Sequence, residues 1–255
     1  MNSTRFVAIA AAALLTISSV AEAQSPSRHR CGAPERNPFL DSLLPPSDCS
    51  YGSTNPDAAY DPIELWEIPV VFHVIQRTNG TGNVTDANIN EQIDILNEDF
   101  RAIAGSNGSN GNDAMIQFKL ASVDPNGNAT SGIVRTTNNT WYNDSGNFMG
   151  SLGWDQDRYL NIFTNSCGGY LGYVWDFPQA IAGNSNDGVV VLWETVGDNA
   201  PIGAPYNQGR TVTHEVGHYL GLWHTFDNGC GTTSGCYSSG DTICDTNRQS
   251  QSTFG

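Results

Sequence analysis

Lysine is almost missing from this chain. Lys119 is the only one, and 11 lysines and arginines together face 26 aspartates and glutamates, for a formal net charge of −15. A protein that grips nucleic acid neutralises phosphates with clustered basic side chains; no such cluster exists, so that class is excluded. Long apolar runs are also missing. Beyond Ala23 nothing approaches the roughly 20 residues that cross a bilayer, so no membrane span is expected. Of the six cysteines (31, 49, 167, 230, 236 and 244), the three clustered at 230, 236 and 244 lack CxxC spacing, which argues against their binding a metal. Methionine is scarce as well: Met1, Met115 and Met149 are the full set. What the composition offers is an acidic surface, which favours solubility and supplies carboxylates suited to calcium.

The N-terminus sets the compartment. Arg5 heads an apolar stretch from Phe6 to Val20, and Ala21-Glu22-Ala23 gives a small-x-small cleavage site, so residues 1–23 read as a secretory signal peptide. Export makes disulfides durable; an even count of cysteines permits three bridges, whose pairing spacing alone does not decide. Sequons at Asn79, Asn83, Asn107, Asn128, Asn138 and Asn143 fall in loop-like stretches and read equally as glycan acceptors or as accidents of Asn/Gly/Thr-rich loops.

Residues 214 to 224 read His-Glu-Val-Gly-His-Tyr-Leu-Gly-Leu-Trp-His. A helix stacks His214 and His218, four apart, on one face, and places Glu215 beside them. Gly221 is the residue that takes positive φ and ends the helix, so the chain can turn back and bring His224 to the same metal. Three imidazoles leave one position of a tetrahedral Zn²⁺ open, the arrangement of a catalytic rather than a structural site. Five fixed positions over this span arise by chance in on the order of one in 10⁵ chains of this size, which outweighs the alternative of a buried amphipathic helix with satisfied histidines. On this reading zinc acidifies a water and polarises a scissile carbonyl, while Glu215 takes the proton and passes it to the leaving amine.

Along the chain, residues 24–62 are rich in Pro, Ser and Asp and read as a loosely folded leader or pro-segment, and the catalytic domain is expected over 63–255. The apolar run 68–75 predicts a strand buried on both faces. Residues 86–100 carry Ile89, Ile93, Leu96 and Phe100 at helical spacing, with Asp86 as cap. Further strands are expected over 116–121, 159–164, 171–175 and 187–193, with 125–150 read as loop. This order implies an α+β fold, a mixed sheet with two helices packed on it. His73 falls within a buried strand and reads as a core histidine rather than a ligand.

The zinc motif, together with Ile68-Pro69-Val70-Val71-Phe72-His73-Val74, Gln92-Ile93-Asp94-Ile95-Leu96-Asn97-Glu98-Asp99-Phe100 and Gly240-Asp241-Thr242-Ile243-Cys244-Asp245-Thr246, resembles the pappalysin branch of the metzincin metallopeptidases. The resemblance runs from Ile68 to Thr246. It implies a twisted mixed five-stranded sheet with a backing helix and an active-site helix, and a cleft beneath an antiparallel edge strand. Gly169, Tyr170, Leu171, Gly172 and Tyr173 are the candidate edge, where a protein or peptide substrate would bind by strand addition; the alternative is an ordinary glycine turn. It further implies a secreted zymogen in which Cys31 closes the zinc site. A Cys31–Cys49 disulfide is the other reading, and both stay open. Asp241, Asp245 and Thr246 are by the same resemblance a candidate Ca²⁺ cluster, against a capped turn. Metzincins carry a methionine turn after the third histidine. No methionine follows His224 here, so a C-terminal truncation is expected, with the lower subdomain largely missing. The function expected is a zinc endopeptidase; the rival readings are an inactive zinc-binding fragment of one and a zinc amidase or esterase on small substrates.

Overall fold

The computed structural model describes residues 29–34, 62–230, 240–243, 246–247 and 249–252. The expected signal peptide, most of the leader, Cys49, Cys236, Cys244 and Asp245 lie outside the described residues. Strand β1 is His29–Cys31 and β2 is Trp66–Gln76. Helix α1 follows at Asp86–Phe100, then β3 at Ile116–Leu120 and β4 at Ile133–Thr137. Two short helices, α2 at Asn139–Tyr142 and α3 at Phe148–Leu152, lead to β5 at Leu160–Asn165 and β6 at Tyr170–Val174. A further turn of helix, α4 at Pro178–Ile181, precedes β7 at Val189–Leu192 and the motif-bearing α5 at Arg210–Tyr219.

The strands form one mixed sheet in the order β1-β6-β7-β5-β2-β3, with β4 also pairing with β2. Five-stranded therefore needs correction. β2 is long enough to seat two partners along one side, β3 against Trp66–Val70 and β4 against Phe72–Gln76, and β1 adds a strand at the opposite end. Among the described strands of the sheet, only β6 against β7 is antiparallel.

Side chains alternate across the sheet as a period of two demands. Phe72 and Val74 on β2, Ile162 on β5 and Val189 on β7 join Ile89 and Leu96 of α1 and Val212 and Val216 of α5 in one apolar core. Ile75, Phe163 and Leu192 face the other way, onto Tyr142, Phe148 and Met149 of the short helices. Each such side chain contributes roughly 1.5–3 kcal/mol on full burial. His73 is in the core as expected: its Nε2–H donates to Asn161 Oδ1 at 2.9 Å and its ring stacks on Phe163 at 4.6 Å.

Two expectations fail locally. The cap of α1 is Thr85, whose hydroxyl accepts from Asn88 N at 3.2 Å, and Asp86 sits instead in the first turn, where its charge suits the helix dipole. The stretch 125–150 is not all loop. β4 is a half-buried strand too short to show alternation, and α2 and α3 are single turns started by the side chains of Asn138 and Asn147.

Candidate metal centre

Helix α5 lies beneath β6 and β7 with α1 alongside. Its first residue follows Gly209, a left-handed residue (φ +69°) with no side-chain cap. The support comes from α1. Gln92, fully buried, donates to Gly209 O at 3.0 Å and accepts from Gly197 N at 3.0 Å. Asp99 accepts from Arg210 at 2.8 Å and from the Thr213 hydroxyl at 2.7 Å, one residue before His214. The helix ends as the sequence predicts. Gly221 has φ +98°, Leu222 N donates to Gly217 O at 3.0 Å and Gly221 N to His218 O at 2.9 Å, a Schellman turn.

That turn sends the chain back so that three imidazoles converge. His218 Nε2 is 3.0 Å from His214 Nε2 and 3.2 Å from His224 Nε2. His218 Nδ1 faces Leu222 O at 2.6 Å, so Nδ1 carries the proton and the Nε2 lone pair points to the centre. Burial pushes the His218 pKa down to about 4, with the nearby His224 charge adding to the effect against the Leu222 hydrogen bond. His224 stacks on Phe226 at 4.8 Å, and Asp227 Oδ2 lies 3.2 Å from its backbone N and 3.7 Å from Nδ1. Trp223 beside it stacks on Phe177 at 3.7 Å. Cys31 Sγ comes from β1, and the thiol and the three imidazoles offer ligand atoms all within 4.8 Å of one another.

The donor set fits a metal ion. Tetrahedral zinc with Zn–N bonds near 2.0–2.1 Å has nitrogen edges of about 3.3 Å, close to the spacing seen. Converging lone pairs repel without a cation between them, and soft thiolate with imidazole suits zinc.

Glu215 is fully buried beside this centre, under the edge of the sheet. Gly172 of β6 makes the room: a Cβ there would stand 2.5 Å from Glu215 Cγ. Burial raises the carboxyl to about 8, partly offset by the Cys31 S–H donating to Oε2 at 3.7 Å. Burial and the Glu215 charge raise the Cys31 thiol in turn. A cation at the centre is the field that favours a thiolate there.

The expected edge strand is β6, antiparallel to β7, and its outer side is covered by β1, which falls in the stretch expected to be a leader. β1 pairs with it in parallel, His29 opposite Tyr170 and Cys31 opposite Gly172, with Gly32 N donating to Gly172 O at 2.9 Å. The His29 ring lies 5.7 Å from Tyr170, and the Arg30 guanidinium 5.4 Å from the Tyr206 ring. Cys31 and Cys167 are free thiols, which corrects the reading of three bridges and removes a Cys31–Cys49 disulfide. Cys230 is disulfide-bonded, to a partner outside the described residues. Asp241 is buried and its Oδ1 accepts from Ile243 N at 3.1 Å, a turn contact; Asp245, needed for the calcium cluster, lies outside the described residues. Gln92, Asp99 and Asp227 had no place among the expected site residues. Only Asp227 carried a local signal, a carboxylate three residues after the last histidine of the motif.

A mixed sheet with a helix carrying two of the converging histidines below its antiparallel strand, and a third returned by a glycine turn, is the arrangement of the metzincin class of metallopeptidases. Residues 143–254 match the peptidase M43 family described as pregnancy-associated plasma protein-A. An extracellular metalloprotease of Verticillium alfalfae is 31% identical over 250 residues, 95% of this chain and 78% of that protein. One from Colletotrichum graminicola is 34% identical over 196 residues, 74% of this chain and 60% of that protein. Among solved structures, a Tannerella forsythia promirolysin mutant superposes with a TM-score of 0.63 at 31% identity, covering 87% of this chain and 77% of that one. Mature mirolysin with a cleaved peptide gives a TM-score of 0.59 at 39% identity, covering 74% and 73%. The chain belongs to the peptidase M43, or pappalysin, family.

Proposed function

We propose that this chain is a secreted zinc endopeptidase, held latent by its own leader strand. The observation that carries the reading is the convergence of His214, His218 and His224 with the Cys31 thiol, next to a buried and otherwise unpartnered Glu215 oxygen. His214, His218 and His224 would hold the zinc. The ion, when bound, supplies Lewis acidity for a water and for the scissile carbonyl. Glu215 takes the water's proton and returns it to the leaving amine; a carboxyl raised by burial sits near the pH at which both transfers are feasible. The side of β6 presented by residues 169–173 would hold the substrate backbone by strand addition.

Latency follows from polarity and chemistry together. The leader occupies the strand edge that substrate needs, runs parallel to β6, and puts a sulfur where a carbonyl would have to stand. Export is supported by the apolar N-terminus and by relatives named extracellular metalloproteases. Metal analysis of the purified full chain beside a casein assay tests the reading. One zinc per chain and chelator-sensitive hydrolysis after leader removal are expected; protein free of stoichiometric metal, or zinc-loaded protein with its leader removed that cuts nothing, overturns it.

A further inference from the structure

One wall of the cleft is a loop, and α1 holds it at both ends. The cavity of about 710 Å³ that contains Cys31, His214, Glu215 and His224 is also lined by Pro205, Tyr206 and Gln208. These three belong to the segment 197–209, which leads from beyond β7 to the start of α5. Its ends lie side by side: Asp198 and Gln208 form an antiparallel bridge, and Ala200 N donates to Asn207 O at 3.1 Å. Closing such a loop costs conformational entropy, and its buried backbone groups need partners. In its middle, Ile202 and Tyr206 pack on the core of the short helices, and Ile202 N donates to Glu194 O at 3.1 Å. The two ends are held by α1.

Gln92 touches both of them. Its carboxamide oxygen accepts from Gly197 N at 3.0 Å, and its amide donates to Gly209 O at 3.0 Å. Asn88, one helical turn earlier on the same face, donates from Nδ2 to Val196 O at 3.2 Å. The loop backbone lies directly on the helix: a Cβ at Gly197 would stand 2.9 Å from Asn88 O, and one at Gly209 2.6 Å from Ile95 Cδ1. Both glycines are buried, with φ of +84° and +69°, so water does not replace these bonds. A carboxamide carries the one donor and one acceptor this geometry needs. A hydrocarbon of similar length leaves two buried backbone groups unpaired. Asp99, further along the same helix, reaches Arg210 and Thr213 instead. One helix thus carries two separate supports, one for the loop wall and one for the helix that bears His214.

We propose that Gln92, seconded by Asn88, is a positioning residue for substrate binding: it clamps both ends of the 197–209 loop, so that Pro205, Tyr206 and Gln208 stand as a fixed wall of the cleft. The inference rests on the peptidase reading and assigns a further residue to that reaction. The test compares Gln92→Met and Asp99→Asn in the full chain carrying Cys31→Ala, by three measurements: zinc competition, steady-state peptide hydrolysis, and mass-spectrometric mapping of chymotrypsin cuts. With Gln92→Met the wall loses its preorganisation, so KM should rise about tenfold while kcat and zinc affinity stay within about twofold. Cleavage after Tyr206 should become several-fold faster. Asp99→Asn should divide the other way, with zinc bound about tenfold more weakly and the cut at Tyr206 unchanged. Asn88→Ala, at a half-buried position, should raise KM by a smaller factor and decides the matter if Gln92→Met does not fold. Zinc affinity that falls in step with the rise in KM makes Gln92 a general structural residue and overturns the proposal. A KM that neither α1 variant moves also overturns it. If the Cys31→Ala chain hydrolyses no peptide, the peptidase reading fails; a faster cut at Tyr206 in Gln92→Met still upholds the clamp, and an unaltered one overturns it.

Discussion

The base role proposed for Glu215 rests on where Gly172 lets it stand. Its carboxyl lies wholly out of water, and the nearest strand passes over it with no side chain to interfere. Glu215→Gln should keep the shape and the metal while losing the proton shuttle, so turnover should fall by about 10²–10⁴-fold at unchanged zinc content; equal activity would remove the role. His73 makes a separate prediction about pH. Burial pushes its pKa down to about 4, against the Asn161 hydrogen bond that raises it. Above about pH 6.5 the imidazole is neutral in both folded and unfolded chains. Between 6.5 and 4 the unfolded chain binds a proton that the folded one refuses, so stability falls as pH falls, in total by on the order of 3 kcal/mol. Thermal unfolding of the wild type and of His73→Gln across that range checks it: the difference between the two should depend on pH there and be flat above pH 7.

At the scale of elements, the active-site helix is set by its two ends. A Cβ at Gly221 would meet only Pro178 and Gln179 at 3.8 Å or more, so Gly221→Ala is penalised through its left-handed φ rather than by a clash. About 1–2 kcal/mol is expected, which corresponds to a few degrees in Tm and roughly tenfold weaker zinc binding, because His224 lies just beyond that turn. Zinc competition against a chromophoric chelator reads the second quantity. The motif showed this end in the sequence because helix period, glycine and third histidine are all local rules. The other end was not legible. Gln92 reaches Gly209 and Asp99 reaches Thr213 across more than a hundred residues, and each looks like an ordinary polar position on the face of α1. The same division explains the sheet. Strands β2, β5 and β7 were visible as apolar runs because both their faces are covered, whereas β4 is half-buried and owes its existence to the length of β2.

In the molecule as a whole, β1 as the proposed leader strand and the proposed zinc centre explain each other. A three-residue strand is too short to hold an edge by backbone bonds alone; β1 adds ring contacts from His29 and Arg30, the fit of Gly32 over two tyrosines and the packing of Cys31 and Ala33 against the core. On the proposed reading the sulfur, which shares the centre with the three imidazoles, is the strong link. Tethered to the chain it would close, Cys31 would meet the centre at the high effective concentration of an intramolecular ligand, and the same tether would make it inhibitory without great intrinsic affinity. Removing that one atom should loosen the entire strand. Cys31→Ala in the full chain should raise basal peptide hydrolysis by about 10- to 100-fold and make the bond after Arg30 several-fold more sensitive to trypsin. In the wild type, a chelator should unmask the Cys31 thiol to a disulfide reagent while Cys167, buried just after β5 with its sulfur against Val190 of β7, stays slow. If Cys31→Ala leaves both hydrolysis and trypsin sensitivity where they were, the leader is held by its ring contacts instead, and the thiol is a bystander at the mouth of the site.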